Sequence, residues 1–301
     1  MKTPDFFVVG GSSCGTTALC TYLTDHPNIC FARTKEPHFF SDDFPLQRAD
    51  HDFESYWRRN FSYFDPKTHV VLGEGSGTYY VSSVAIPNIL ARNPAAKFIY
   101  MVRDPVEMVH SWHYHVRFGS GVTDSLEEAW ERWQPRIGDP EMRAEDGNLR
   151  FRQYRALGSL GRRLEFIKSV VPADQLMVIV FDDFVRDTKT VYEQVLGFIG
   201  APSDGRTDFP QVNPARLQRS YVLGKITRSI PKWVVNSARE FKHLTGLNHV
   251  PMNVFAMLNA KPVKRAPLSP AFRKRLVAEF EPEIQLLEKH LARDFNSWRA
   301  S

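Results

Sequence analysis

The sequence predicts an α/β fold, in which a parallel β-sheet carries helices on both faces and a helical region follows at the C-terminus. Short runs of β-branched and aromatic residues bounded by turn signals are typical of buried parallel strands. Between them lie stretches whose apolar residues recur with helical spacing, and this alternation favours a parallel sheet covered on both faces. With 301 residues, 43% of them hydrophobic, the chain can bury a large core.

The apolar runs place the predicted strands at residues 6–9, 29–31, 70–72, 98–102 and 177–181. Helical spacing predicts apolar helix faces over residues 18–23, 106–116, 160–171, 191–199 and 276–291, and Pro282 either interrupts or restarts the last of these helices. Two stretches, 119–157 and 201–236, carry Gly, Pro and alternating charge, which suits lids or cleft insertions. Because no linker marks a boundary, we expect a single domain over residues 1–301.

Composition narrows the class of protein. The net charge of +5 comes from 39 basic and 34 acidic residues, which is typical of a solvated surface and not of a nucleic-acid binder. No apolar stretch reaches the roughly 20 residues that a membrane helix needs, and the start MKTPDFFVVGG does not resemble a secretory signal. An odd count of three cysteines argues against a disulfide framework, so we expect a reducing, cytoplasmic location.

The first motif, FFVVGGSSCGTTAL, is a strand, a glycine-rich turn and a helix start. Gly10, Gly11 and Gly15 let the backbone turn sharply, and a helix N-terminus directs free N–H groups at the turn. The spacing GxxxxG followed by two threonines resembles that of a P-loop, so the sheet is expected to be of the P-loop-like type. Thr16, however, replaces the lysine of the nucleotide-triphosphatase loop. The motif therefore predicts phosphate binding, and a purely structural corner is the alternative.

The second motif, KFIYMVRDPVEMVHSWHYH, repeats the order of strand, turn and helix. Arg103 stands at the predicted strand end, and Ser111 lies about two helical turns further on. A guanidinium and a hydroxyl that converge suit a second phosphate, and an Arg103–Asp104 surface pair is the alternative. Because an arginine occupies the strand end, the pattern favours a magnesium-independent anion over the magnesium-ATP of a small-molecule kinase.

In this order, the motifs resemble those of the sulfotransferases that use 3′-phosphoadenosine 5′-phosphosulfate. SSCGTTAL is similar to the family's 5′-phosphosulfate loop, and RDPVEMVHS is similar to its 3′-phosphate motif. KEPHFF and GEGSGTYY resemble segments of the branch that includes heparan-sulfate sulfotransferases. Two later segments look like bacterial members, namely FDDFVRDTKTVYEQVLGFIGAP and KRAPLSPAFRKRLVAEFEPEIQLLEKHL. The resemblance covers about residues 6–298 and implies sulfuryl transfer to a hydroxyl or amine of a carbohydrate or small molecule, without a metal. A homodimer is left open.

The resemblance also implies roles for individual residues. The implied donor-binding set is Ser12, Ser13, Cys14, Gly15, Thr16, Thr17, Ala18, Arg103, Ser111, Lys264 and Arg265. Glu36 is the implied base for an in-line transfer and Lys35 its cationic neighbour. A cap of the turn before Pro37 is the alternative role for Glu36. The implied acceptor-side set is His38, Phe39, Glu74, Tyr79 and His113, of which His38 and Glu74 are alternative bases.

Ser13 departs from the family pattern, which usually has Lys or Arg two positions before the glycine of GTT. The family's cation neutralises charge on the leaving oxygen, and the loss of one such donor typically costs about 10²–10³ in rate. Three interpretations stay open: another cation such as Lys35 substitutes, turnover is weakened, or the chain binds the donor without turning it over.

Two other chemistries have weaker support. His110 and His113 share a helix face with His115 nearby, but no carboxylate partner or HExxH motif accompanies them, so a zinc cluster is the minor interpretation. Cys14 precedes a helix N-terminus, where a thiolate would be favoured. We interpret it as a packing residue, because the family tolerates cysteine there without using it.

Overall fold

A computed structural model describes residues 1–44, 48, 50–120, 124–132, 153–212, 216–218, 260–262 and 265–300. Within these residues, a parallel sheet of five strands has the order β2-β3-β1-β4-β5. The strands are β1 (Phe6–Gly10), β2 (Ile29–Phe31), β3 (Val71–Gly75), β4 (Lys97–Val102) and β5 (Leu176–Val180). The predicted parallel α/β class is confirmed, and strand limits differ from the prediction by three residues at most.

Helices connect and cover the strands. They are α1 (Thr16–Thr24), α2 (Phe53–Phe61), α3 (Ala85–Arg92), α4 (Pro105–Ser120), α5 (Leu126–Arg132), α6 (Tyr154–Leu157), α7 (Leu160–Val170), α8 (Phe181–Arg186), α9 (Thr188–Ile199), α10 (Pro270–Leu291) and α11 (Asn296–Arg299). Each predicted apolar helix face lies on one of them. Helix α10 runs through Pro282 without a break, so the prolyl residue neither interrupts nor restarts it.

The sheet places two loops side by side. Strand β1 lies between β3 and β4, with Phe6 opposite Gly73 on one side and opposite Lys97 on the other. All of β1 is buried, as is β4 after Lys97, which explains their uninterrupted apolar sequences. From β1 the chain first builds one side of the sheet and then crosses to the other, and such a switch point is where ligands bind in open α/β sheets.

The two predicted lid regions are described only in part. The first contains α5 and α6, and its residues 133–152 lie outside the described part of the chain. In the second, Ala201, Phe209 and Val212 pack against the core, and the Pro210 carbonyl accepts a 2.9 Å hydrogen bond from the Tyr22 hydroxyl. A two-stranded antiparallel sheet pairs β6 (Arg216–Gln218) with β7 (Ala260–Pro262). Among the described helices, none combines the length and apolar character needed to cross a membrane.

Candidate active site

The segment between β1 and α1 forms a tight loop. Gly10 lies so close to β4 that a Cβ atom there would be 2.8 Å from the Met101 carbonyl oxygen. Gly15 precedes α1 with φ of 91°, a left-handed conformation that glycine adopts without steric cost, and Ser13 is also left-handed, with φ of 62°. The first N–H groups of α1 have no intrahelical partners, and its positive dipole end faces the loop. The loop therefore favours an anion.

Cys14 is a packing residue of this loop. Its side chain is fully buried, and its thiol lies 3.7 Å from the carbonyl oxygen of Ser12. Burial raises the pKa of the Cys14 thiol to about 12, although the charge of Arg103 opposes the increase. A thiol with this pKa stays protonated at neutral pH and is a poor nucleophile.

Arg103 reaches from the end of β4 to the loop. Its Nη1 donates a 3.1 Å hydrogen bond to the Ser13 carbonyl, and its guanidinium lies 4.3 Å from the centroid of the Phe181 ring. Burial lowers its pKa, and the side chain is 13% exposed. The arginine is thus held between a loop carbonyl and an aromatic face, with part of its guanidinium facing the space where Ser111 lies.

Acidic residues at the start of α4 are matched by arginines from the C-terminal region. Asp104 caps the helix by accepting the Val106 N–H at 2.8 Å, and its nearest cation is Arg273, at 3.7 Å. Burial raises the pKa of Asp104 to about 6. The Nη1 atom of Arg265 lies 3.7 Å from Glu107 but is buried without a hydrogen-bond partner in the described part of the chain. Asp104 therefore caps its helix, and its ion pair is with Arg273 and not with Arg103.

The segment that follows β2 turns sharply at two residues that are not glycine. Glu36 has φ of 54° and His38 has φ of 56°, both in the left-handed region. The His38 N–H donates to Ser76 Oγ at 3.0 Å, and His38 Nδ1 lies 2.9 Å from Thr78 Oγ1. Such strained conformations persist only where the surroundings enforce them, and they cluster at functional sites.

The carboxylate of Glu36 is directed across the turn. It lies beside the backbone of Gly77, and His38 Nε2 lies 3.5 Å from its Oε2. Burial raises the pKa of Glu36, and the charge of Lys35 opposes this increase. Burial also lowers the pKa of His38 to about 4, so this imidazole is neutral at pH 7. Glu36 therefore contacts a neighbouring loop, which argues against a simple cap of its own turn.

These features meet in one cleft of about 950 Å³ at the carboxyl edge of the sheet. Its lining contains most of the predicted donor and catalytic residues, namely Ser12, Ser13, Gly15, Thr16, Thr17, Ala18, Lys35, Glu36, His38, Arg103, Ser111 and Arg265. Lys264 lies outside the described residues. The structure thus brings together the loop, the second strand end and the KEPHFF segment, which are far apart in the sequence.

A smaller pocket of about 280 Å³ lies on the other side of Lys35 and Glu36. Besides Lys35 and Glu36, it shares Gly10, Thr16, Thr17 and Gly77 with the cleft. Its other lining residues are Val8, Cys20, Thr21, Thr24, Asp25, Phe31, Ala32, Arg33, Thr34, Tyr63, Gly75 and Ser76. Most of the surface that lines this pocket is apolar, although Asp25 and Arg33 also border it. Lys35 and Glu36 consequently form part of the wall between a polar cleft and an apolar pocket.

Four predicted acceptor-side residues lie elsewhere. Phe39 is buried and stacked on Tyr56, with ring centroids 4.4 Å apart. Tyr79 and Glu74 are buried together, and the tyrosine hydroxyl donates to Glu74 Oε2 at 3.1 Å. His113 is buried, with its ring nitrogens 2.8 Å from the Tyr154 hydroxyl and 3.0 Å from the Asp124 carbonyl. None of the four lines the cleft or the pocket as far as the chain is described, so direct contact with an acceptor does not fit their placement.

The imidazole of His113 is committed to hydrogen bonds, which does not suit a metal ligand. Among the described residues, no group of three or more His, Cys, Asp or Glu side chains is arranged to hold a metal ion.

Sequence reasoning missed several residues that line the cleft. Phe181 begins α8 directly after β5, and its ring supports Arg103. Because it follows a strand end, the rule that ligands lie at the carboxyl ends of parallel strands could have identified it. Gln211 comes from the second predicted lid and has no sequence signal. His115, one of the three histidines singled out in the sequence, also lines the cleft, and its ring stacks on Trp112 with centroids 4.9 Å apart.

Comparison with known proteins identifies the family to which this chain is similar. Residues 3–218 match the family model described as a sulfotransferase domain. The chain is 28% identical over 204 residues to the human bifunctional heparan sulfate N-deacetylase/N-sulfotransferase 3, which covers 66% of this chain and 22% of that protein. It is 24% identical over 164 residues to human carbohydrate sulfotransferase 15, covering 42% of this chain and 29% of that protein. The chain therefore spans less than a third of the length of these relatives.

A solved structure matches the whole chain. A sulfotransferase from Alicyclobacillus acidocaldarius superposes with a TM-score of 0.72 and 23% sequence identity, and the match covers 100% of both chains. At this level of identity the similarity establishes a shared fold.

Proposed function

Because the matched domain spans residues 3–218, the chain belongs to the sulfotransferase family of enzymes, and we propose that it transfers a sulfuryl group from 3′-phosphoadenosine 5′-phosphosulfate to a hydroxyl or amine. The observation that carries this proposal is the meeting of the anion-binding loop, Arg103 and the Lys35–Glu36 pair in one cleft. A phosphate cradle, a second phosphate anchor and a carboxylate base are the three parts that such a transfer requires.

The cleft residues expected to bind the sulfuryl donor suit a nucleotide whose ribose carries a phosphate group at both its 3′ and 5′ positions. The first-turn N–H groups of α1 and the hydroxyls of Thr16 and Thr17 would hold the 5′-phosphosulfate. Arg103 and Ser111 would hold the 3′-phosphate. The Nη1 of Arg265, which lies 3.7 Å from Glu107 and makes no hydrogen bond among the described residues, could donate to the same group. When bound, the donor supplies the sulfuryl group, and the chain supplies position and charge.

Glu36 is the proposed base. Its carboxylate lies in the wall between the cleft and the smaller pocket, so it can take a proton from an acceptor whose nucleophile faces the loop. A pKa raised by burial brings a carboxylate closer to neutral pH, where a general base is most effective. Lys35 beside it would stabilise the negative charge that develops during an in-line transfer.

The acceptor is proposed to approach from the side of the smaller pocket. A sugar ring or a small aromatic or aliphatic alcohol would place its apolar surface against Phe31, Cys20 and Tyr63, with its reacting group at Glu36. The relatives named above are called heparan sulfate and carbohydrate sulfotransferases, which supports a carbohydrate hydroxyl or amine as the first class to assay.

Two measurements test the proposal. The donor product, adenosine 3′,5′-bisphosphate, should raise Tm by about 5–8 °C at 100 times its Kd, since such an excess stabilises a native state by about 2.7 kcal/mol. Labelled donor should then transfer sulfate to at least one member of a panel of sugars, phenols and amines, run with this chain and its Ser13→Lys variant. Stabilisation by magnesium-ATP but not by the bisphosphate would indicate a kinase, and bisphosphate binding without transfer by either chain would indicate a silent nucleotide-binding protein.

A further inference from the structure

A buried carboxylate lies beneath the Lys35–His38 turn. Glu74, near the end of β3, is 0% exposed and accepts three hydroxyl hydrogen bonds. Ser76 Oγ donates to its Oε1 at 2.6 Å, and the hydroxyls of Tyr56 and Tyr79 donate to its Oε2 at 2.6 and 3.1 Å. Burial raises the pKa of Glu74 to about 7. A buried carboxyl group needs such partners, but the same space could hold an apolar side chain at lower cost. This arrangement calls for a role beyond packing.

Ser76 connects this carboxylate to the turn. A serine hydroxyl has one proton, and here that proton is directed at Glu74. The Ser76 oxygen is therefore left as an acceptor, and it accepts the backbone N–H of His38 at 3.0 Å. The hydrogen bond from Ser76 to Glu74 thus fixes the orientation in which the Ser76 oxygen accepts the hydrogen bond from the His38 N–H.

Two hydrogen bonds fasten the turn to the segment that follows β3. One is the His38 N–H to Ser76 Oγ, and the other joins His38 Nδ1 to Thr78 Oγ1. In this turn the backbone is left-handed at both Glu36 and His38, and each such residue costs of order 1–3 kcal/mol. Without an oriented acceptor at Ser76, the turn would relax towards ordinary φ values and the Glu36 carboxylate would move.

We propose that Glu74 is a positioning residue, which acts through Ser76 and the His38 N–H to hold the Glu36 carboxylate at the junction of the cleft and the smaller pocket. The inference rests on the proposed function, in which Glu36 is the base. It also gives Glu74 a role that its burial permits, since the carboxylate touches neither cavity in the described part of the chain.

The test compares near-isosteric variants at saturating donor and acceptor. Glu74→Gln places an amide where an acceptor is needed, and Ser76→Ala removes the link itself. Each should lower kcat by about 10–100-fold, because displacement of a reacting group by about 1 Å costs that order of rate. The Tm shift given by adenosine 3′,5′-bisphosphate should stay at its wild-type value in both variants, since neither residue lines the cleft. The acceptor KM should stay at its wild-type value in Glu74→Gln, since Glu74 lines neither cavity.

Tyr56→Phe is the matched control. It removes one hydrogen bond to the same carboxylate, but Tyr56 makes no hydrogen bond to the turn among those of the described residues. It should lower Tm as the other variants do and leave kcat unchanged. In addition, the double variant Glu74→Gln/Ser76→Ala should be no slower than the slower single variant. Both changes interrupt the same chain of hydrogen bonds from Glu74 through Ser76 to the His38 N–H.

The possible outcomes separate the two proposals. A loss of kcat in Tyr56→Phe equal to that in Glu74→Gln, or effects of Glu74→Gln and Ser76→Ala that multiply, would overturn the positioning role while wild-type transfer still supports the function. An unchanged kcat in Glu36→Gln would overturn the base assignment, and with it the positioning role. A wild-type chain that binds the bisphosphate but transfers sulfate to no acceptor would overturn the proposed activity itself.

Discussion

Turnover should depend on the charge of Lys35. The family pattern that this chain resembles has a cation at the position of Ser13, and three cations line the cleft among the described residues: Lys35, Arg103 and Arg265. Arg103 already donates to the Ser13 carbonyl, and Arg265 lies beside Glu107. Lys35 alone of the three also lines the smaller pocket, next to the proposed base. It is therefore the cation best placed to replace the missing one.

The perturbation is Lys35→Met, which removes the charge and retains most of the aliphatic stem. Loss of one preorganised donor to a transition state typically costs about 10²–10³ in rate. Because Lys35 is exposed, solvent screens its charge, and we expect the lower end, about 10²-fold. Its charge also lowers the pKa of Glu36, so its removal should raise that pKa and shift the acid limb of the rate profile to higher pH.

The assay is single-turnover sulfuryl transfer from labelled donor in four chains: wild type, Lys35→Met, Ser13→Lys and the double variant. If the two positions supply one charge, Ser13→Lys should restore most of the rate that Lys35→Met loses, and the changes should not be additive. Tm shifts with adenosine 3′,5′-bisphosphate show whether each chain still binds. A Lys35→Met variant that transfers at the wild-type rate with an unshifted pH profile would refute the reasoning.

Three further predictions follow from the site. Glu36→Gln should lower kcat by about 10²–10⁴, the usual contribution of a general base, without changing the Tm shift given by the bisphosphate; a preserved kcat would exclude the base role. Arg103→Ala should weaken bisphosphate binding at least tenfold by titration calorimetry, since a charged hydrogen bond contributes about 1.5–3 kcal/mol, whereas Arg33→Ala, in the smaller pocket, should bind as wild type does. Burial lowers the pKa of His113 from 6.5 to about 4, so the neutral ring stabilises the fold at pH 7 and this stability is lost as the pH falls from about 6.5 towards 4. In urea unfolding, His113→Gln should lose about 2 kcal/mol less than wild type between pH 7 and pH 5, and equal losses would contradict the pKa shift.

The sheet could be predicted from the sequence because its strands are buried on both faces and therefore read as continuous apolar runs. The end of β3 escaped prediction, since the strand continues through Gly73 and Gly75, which have no strand preference of their own. The loop, Arg103 and Ser111 could be predicted as site residues because they follow strand ends, and the edge of a parallel sheet collects such residues.

The acceptor side could not be predicted in the same way. Whether a side chain after β2 faces the cleft or the core depends on the left-handed turns at Glu36 and His38, and no glycine in the sequence marks them. These turns place Glu36 at the cleft, whereas Phe39 packs into the aromatic core. Glu74 was assigned to the acceptor side because GEGSGTYY resembles a segment of the family, whereas in the structure its three hydroxyl partners hold it beneath the turn.

Ser13 allows the shape of the loop to be separated from its charge. Its φ of 62° is unfavourable for any L residue, so Ser13→Lys adds no new backbone strain, whereas Ser13→Gly removes what is there and should stabilise the fold by about 1 kcal/mol. The side chain lines the cleft, which leaves room for a lysine. We expect Ser13→Lys to raise the transfer rate at a nearly unchanged Tm, and Ser13→Gly to raise Tm slightly at a wild-type rate. If glycine instead raised the rate as much as lysine does, the backbone of the loop and not its charge would limit turnover, and Lys35 would have no charge to replace.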